Sequence, residues 1–282
     1  PAKILTEEIM TNLTKQIEKA VKKIDSVSKK FRPTVGIILG TGLGALAKEI
    51  KEHCVIDYGN IPGFQKSTAE SHSGKLVLGE LGGKKVIAMS GRFHRYEGYT
   101  MQQITFPVRV MKALGATHLL ISNACGGMNP KLKGGSLCII EDHINFMGDN
   151  PLIGPNDEKL GPRWPDMLAP YSHELIKLAE DAAKRNNIEI NKGIYVAVLG
   201  PCFETRAEYR MFMKFGDIVG MSTVPEVIVG VHAGLKILGI SVVTDECNPD
   251  QLEPTDISKI LANAAEAEPK LTKIMKEVIS KI

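Results

Sequence analysis

The stretch Gly91–Tyr99 reads Gly-Arg-Phe-His-Arg-Tyr-Glu-Gly-Tyr and follows an apolar run, Lys85–Ser90. Arg92, His94 and Tyr96 alternate with Phe93 and Arg95, so an extended backbone would turn all three toward one side. A permanently charged fork, an imidazole and a phenol on one face suit an oxyanion, phosphate in particular. Taken alone, the same residues would equally make a solvated loop with a stray histidine. Gly40-Thr-Gly-Leu-Gly-Ala45 offers a second anion site: its backbone N–H groups and the following helix start can hold the anion while the Thr41 hydroxyl donates to it. It also fits the Gly-x-Gly-x-x-Ala dinucleotide fingerprint, which keeps an NAD-type oxidoreductase open. That fingerprint needs an acidic residue about 20 positions on, at the end of the next strand. Asp57 and Glu52 are in range, but Cys54–Ile56 is short for that strand.

Five further places carry chemistry, each with a plainer alternative. His72, in Ser71-His-Ser-Gly74, is more often a structural hydrogen-bonder when it stands alone. Asn123-Ala-Cys-Gly-Gly127 is a small-residue turn that lets a ligand approach the backbone of Ala124, Cys125 and Gly126, or simply packs sheet against helix. Phe203 and Glu204 place an aromatic plate beside a carboxylate, which suits a flat heterocycle with an N–H to donate; the alternative is a core Phe and a solvent Glu. Met221-Ser-Thr-Val-Pro-Glu226 could lay Met221 under a sugar and bring Ser222 to an anion, or merely cap a helix. Asp245 is placed as an acid or base at a strand end, or as a turn cap.

Positioning these groups takes an alternation of strands and helices. Ile9, Leu13, Ile17, Val21 and Ile24 make one face of a helix over Glu7–Lys30, which Pro33 ends. Strands are expected at Thr34–Leu39, His118–Asn123, Ser136–Glu141, Gly193–Val198 and Ile240–Thr244, with a hairpin of Lys75–Leu78 and Lys85–Ser90 across Gly82-Gly83. Capping boxes mark helices at Thr100/Gln103, Thr205/Glu208 and Thr223/Glu226, the last with Pro225 in its first turn. Helices are expected at His173–Arg185 and from about Asp256, the latter interrupted at Pro269. Asp142–Ser172 has no periodicity, a length that is usually functional. The pattern predicts one α/β domain over residues 1–282, with a mixed, largely parallel twisted sheet flanked by helices. The unusual polar stretches fall just past strand ends, where such sheets bind ligands.

The 282 residues suffice for one large core, and 43% hydrophobic with 24% charged is ordinary for a globular chain. A net charge of +3 makes no case for nucleic acid or a membrane surface and is compatible with an anionic small substrate. Five cysteines without a Cys-x-x-Cys pair suit reduced thiols in a cytoplasm better than disulfides or a metal site. Val224–Val243 is broken by Glu226, His232 and Lys236, so no membrane span is expected.

Gly36–Gly44, His72, Gly91–Tyr99, Asn123–Pro130, Asp142–Gly161, Gly200–Glu208 and Met221–Gly230 together resemble the trimeric purine nucleoside phosphorylases over nearly the whole chain. The resemblance implies reversible phosphorolysis of purine (deoxy)ribonucleosides in purine salvage, with inorganic phosphate as co-substrate and no metal or organic cofactor. It assigns phosphate to Thr41, His72, Arg92, His94, the Ala124 backbone and Ser222, and the sugar to Tyr96 and Met221. Phe203 stacks on the base and Glu204 binds its edge, with Ala124, Cys125, Gly126 and Asp245 beside the nucleoside and His94, Glu204 and Asp245 in the catalytic roles. It also implies a homotrimer in which Asp142–Ser172 lies near a neighbour's site. Three residues depart from the pattern: Asp245 for the usual Asn, Ile257 for a His near the sugar 5′-hydroxyl, and Leu160 for an aromatic lent by the neighbour. The first two are shared with methylthioadenosine phosphorylases, so base preference stays open, with an adenosine- or methylthioadenosine-preferring enzyme as the alternative. A catalytically silent nucleoside binder is the non-enzymatic alternative.

Overall fold

The computed structural model describes residues 2–41, 43–67 and 73–282, with residues 2–12 described by backbone alone. Its strands are β1 (Val35–Leu39), β2 (Lys51–Asp57), β3 (Lys75–Leu81), β4 (Lys84–Ser90), β5 (His118–Gly127), β6 (Leu137–Asn145), β7 (Asn191–Ala197), β8 (Ile218–Gly220) and β9 (Lys236–Glu246). Its helices are α1 (Ala2–Ser28), α2 (Ala45–Lys48), α3 (Met101–Ala113), α4 (His173–Arg185), α5 (Arg206–Phe212), α6 (Val224–His232) and α7 (Ile257–Lys281).

Among the described residues the nine strands lie in the order β2-β3-β4-β1-β5-β8-β7-β6-β9, and β9 also pairs with β5. The sheet is therefore mixed, and β5, β8, β7, β6 and β9 close into a ring. Length explains the closure. The run from Ile237 to Thr244 on β9 is buried throughout. It lies parallel to β5 along one side and antiparallel to β6 along the other. A strand buried from end to end reads as a continuous apolar run, and nothing in that run announces two partners.

β2 is a full strand, longer than Cys54–Ile56 suggested. Its first three residues are exposed, which hides the apolar signal at this sheet edge. It pairs antiparallel with β3, separated from β1 by two strands. A dinucleotide fold requires the second strand to lie parallel beside the first. Asp57 is therefore not the acidic partner of the Gly40–Ala45 turn, and the oxidoreductase alternative falls.

Two further expectations are corrected. α7 runs through Pro269 without interruption. The missing N–H costs one hydrogen bond, but Ala264, Ala267, Leu271, Ile274, Met275, Val278 and Ile279 are buried on either side of it, and that packing holds the helix. Thr223 does not cap α6 with its side chain. Its φ of 72° lies in the left-handed region, and its hydroxyl is engaged with Arg92 and Asn123 instead. Backbone strain of that kind concentrates at functional sites.

No helix or strand lies between Asn145 and His173, yet the segment is pinned. Arg109 can only donate, so its Nη1, 3.3 Å from His232 Nδ1, makes that nitrogen the acceptor. The remaining Nε2–H donates to Asn156 Oδ1 at 3.0 Å. Burial first, and then the Arg109 charge, hold His232 down at about 4. Thr14 on α1 donates to Asp157 at 2.7 Å, and Ser172 N donates to Ile237 O at 2.8 Å.

Candidate active site

Strand ends converge on one cleft of about 920 Å³, open to solvent. β1 delivers Gly40 and Thr41; β4 delivers Arg92, His94 and Tyr96. Asn123, Ala124, Cys125 and Gly126 come from β5, and Val219 and Gly220 from β8. Phe203 and Glu204 stand ahead of α5, Met221 and Ser222 ahead of α6, and Thr244 and Asp245 end β9. Ile257, Ile260 and Leu261 close the cleft from the first turns of α7. Every candidate residue named from the sequence lines this cleft except His72, which lies outside the described residues. Gly40 lets β1 and β5 meet: a Cβ there would stand 2.8 Å from Asn123 Cα and Ser122 O.

At one end is Arg92, 1% exposed. Its Nη1 donates to Ser222 Oγ at 2.8 Å and Thr223 Oγ1 at 2.9 Å, and its Nη2 to Ser122 O at 2.5 Å. Glu226, buried in the first turn of α6, lies 3.7 Å from Nη1. Asn123 Nδ2 donates to the same Thr223 hydroxyl at 2.9 Å. The guanidinium is thus fixed by both flanking elements with its charge compensated from behind. The backbone at Arg95–Glu97 is a 3₁₀ turn rather than the extended chain expected from the alternation. That turn folds Glu97 back, so that its Oε1 accepts from the His94 backbone N–H at 2.7 Å and from Nδ1 at 2.8 Å. A carboxylate on Nδ1 sets the tautomer and leaves Nε2 as the ring's other polar atom. Tyr96 stacks on His94 with ring centroids 4.6 Å apart.

At the other end are two carboxylates. The β5–β9 register slips at Thr244, so Cys125 faces Val243 while Gly126 faces Asp245. Such a bulge re-aims the side chain that follows it. Asp245 Oδ1 accepts from Thr244 Oγ1 at 2.9 Å and Oδ2 from Cys247 Sγ at 3.3 Å. Burial pushes Asp245 up from the usual carboxylate range, and these two donors partly oppose it. Burial likewise pushes Glu204 up, opposed by a hydrogen bond from Tyr209 and reinforced by the Asp245 charge. Phe203, 43% exposed, offers a free aromatic face at the mouth.

Sequence reasoning missed Asn123, Val219, Gly220, Thr244, Ile260 and Leu261 as lining residues. Asn123 was legible, since a polar residue inside the buried run His118–Gly127 needs a reason. β8 is three residues long and left no periodic signal. Leu160, read as replacing an aromatic lent by a neighbour, is partly buried against the core of its own chain.

A cleft at strand ends, with a buried cation at one end and carboxylates at the other, has the chemistry to suit an oxyanion and a heterocycle together. The phosphorylase superfamily profile matches residues 34–280. Purine nucleoside phosphorylase 1 of Bacillus subtilis is 50% identical over 249 residues, covering 88% of this chain and 92% of the relative. The mouse purine nucleoside phosphorylase is 46% identical, covering 77% of each. A Schistosoma mansoni purine nucleoside phosphorylase isoform 2, solved with cytosine and ribose-1-phosphate, superposes with a TM-score of 0.91 at 43% identity, covering 95% of this chain and 96% of that one. The chain belongs to the phosphorylase superfamily, as one of its purine nucleoside phosphorylases. It is an enzyme that cleaves purine nucleosides with phosphate as co-substrate.

Proposed function

We propose that phosphate is held by Thr41, Arg92, His94, the Ala124 backbone and Ser222; the resemblance alone adds His72, which lies outside the described residues. The ribose lies over Tyr96 and Met221. The purine stacks on Phe203, beside Cys125 and Gly126, with its edge toward Glu204 and Asp245. A phosphate oxygen attacks C1′ as the bond to N9 breaks, through a sugar that carries oxocarbenium charge. The anion beneath the ring stabilises that charge, while donors toward the base offset the charge developing on the leaving purine. Positioning and polarisation supply the catalysis, so no side-chain nucleophile, metal or organic cofactor is required.

The finer proposal is a base preference broadened to 6-aminopurines. The observation that carries it is Asp245, which lines the cleft with donors already on both oxygens. A carboxylate there accepts from a 6-amino group while ionised and serves a 6-oxo group only once protonated, whereas Asn serves O6 while neutral. A second substrate, methylthioadenosine, is favoured by apolar Ile257, Ile260 and Leu261 lining the same cleft. Phosphorolysis of inosine, guanosine, adenosine and methylthioadenosine, with and without phosphate, tests these preferences. Asp245→Asn should lower the adenosine-to-inosine ratio of kcat/KM by roughly tenfold, the size of a charged hydrogen bond to the amino group replaced by a neutral one. An unchanged ratio would remove Asp245 from base selection.

Assembly is part of the same proposal. Phe146, Ile153, Trp164 and Leu168 are 55%, 66%, 82% and 89% exposed, all within or beside the aperiodic segment. Apolar exposure on that scale suits burial by a second copy, which supports a homotrimer with this segment near a neighbour's cleft. Sedimentation equilibrium reads this directly as three chains per particle; a monomer would contradict it. The five cysteines are free, which suits a cytoplasmic enzyme.

A further inference from the structure

Purines of the two classes present opposite hydrogen-bonding edges. A 6-oxopurine offers a donor at N1 and an acceptor at O6. A 6-aminopurine offers an acceptor at N1 and a donor at its amino group. Two ionised carboxylates can satisfy only the donor of either class and must repel the acceptor. One ionised and one protonated carboxyl satisfy both atoms of either class, provided that the proton sits on the correct partner.

Both carboxylates line the same cleft. Tyr209, 3% exposed, packs with Cys247 in the core beneath it. Cys247, 1% exposed, donates from Sγ to Asp245 Oδ2 at 3.3 Å. Its backbone N–H is tied to Gly127 O at 2.8 Å. Gly126 is what admits the thiol: a Cβ there would stand 2.4 Å from Cys247 Sγ and 3.2 Å from Asp245 Oδ2. The Cys247 thiol thus backs Asp245 from beneath the cleft. Met128, Val196, Phe212 and Val219 enclose Tyr209 and Cys247 in a small apolar core.

We propose that Glu204 and Asp245 act as one acid pair that carries a single proton when a purine is bound, and that the class of the base decides which carboxyl holds it. With a 6-oxopurine, Asp245 holds the proton and donates to O6 while ionised Glu204 accepts from N1–H. With a 6-aminopurine, Glu204 holds it and donates to N1 while ionised Asp245 accepts from the amino group. The proton is taken once from solvent, and the two arrangements differ only in its position, so no charge is gained or lost between them. The inference rests on the base placement proposed above. The titratable groups facing the pair are Cys125 from β5, Glu208 and Tyr209 from α5, and Cys247, with Arg92, His94 and Tyr96 sharing the cleft. Burial raises both carboxyls, and the charge on Asp245 raises Glu204 further, so retention of one proton is favoured.

The test is the alkaline limb of kcat/KM for inosine and for adenosine, compared among wild type, Asp245→Asn and Glu204→Gln. The position of a limb does not depend on how much enzyme is folded. In the wild type both substrates need the proton, and both limbs reflect its loss. Asparagine at 245 donates to O6 without a proton, so the inosine limb should move up by about one unit or more, leaving roughly tenfold more relative activity at the wild-type midpoint. Glutamine at 204 donates to adenine N1 in the same way, so the adenosine limb should move up instead. Inosine's own ionisation is common to all three enzymes and cancels in the comparison. If both limbs stay where they are while the base ratio of Asp245→Asn still shifts, the shared proton is overturned and the base placement stands. If that ratio does not shift, the base placement itself has failed.

Discussion

Glu204→Ala is expected to lower kcat/KM by roughly 10²- to 10³-fold for inosine and adenosine alike, the range seen when one donor or acceptor to a developing charge is removed. Glu204 stands in the cleft beside the Phe203 plate. Truncation removes the contact proposed to purine N1 for either class. Because the interaction strengthens as charge develops on the leaving base, kcat should fall more than KM rises. A residue that only bound the ground state would raise KM at constant kcat, and steady-state kinetics at saturating phosphate distinguish the two outcomes.

The second large effect is expected at the opposite end of the cleft. Arg92→Lys should lower kcat/KM for phosphate by roughly 10²-fold while nucleoside affinity, measured without phosphate, stays close to wild type. Lysine keeps a positive charge against Glu226, so the buried carboxylate is not abandoned and the fold is preserved. It cannot reproduce the fork that bonds Ser222, Thr223 and the Ser122 carbonyl simultaneously. Without those bonds the Ser222 hydroxyl and the strained Thr223 turn lose their common anchor. A parallel loss of phosphate and nucleoside affinity would instead mark Arg92 as a structural residue.

Much of this site was legible because its residues follow strand ends, and strands that are buried on both faces announce themselves as short apolar runs. Lys85–Ser90 followed by Arg92, and His118–Asn123 followed by Ala124, are both of that kind. The capping boxes at Thr100 and Thr205 formed as expected because those helix starts face solvent, where local chemistry is undisturbed. The box at Thr223 failed for the opposite reason: a buried guanidinium and Asn123 claim its hydroxyl. Tertiary partners of that sort leave no local spacing to read. The same holds for the two partners of β9 and the bulge at Thr244, each of which depends on residues about a hundred or more positions away. Pro269 shows the converse, a local breaker overridden by the buried face of α7.

The anion seat is the claim on which the rest depends, and arsenate reports on it directly. Arsenate replaces phosphate chemically, and its anomalous scattering locates it in a crystal without reference to the protein density. Crystals of the enzyme soaked with arsenate and free hypoxanthine should give one strong anomalous peak in the cleft that puts the arsenate oxygens within about 3 Å of Thr41, Ser222, His94 and the Arg92 guanidinium, the ordinary hydrogen-bonding reach. A peak bound elsewhere, with that corner of the cleft empty while turnover still requires phosphate, would contradict the account.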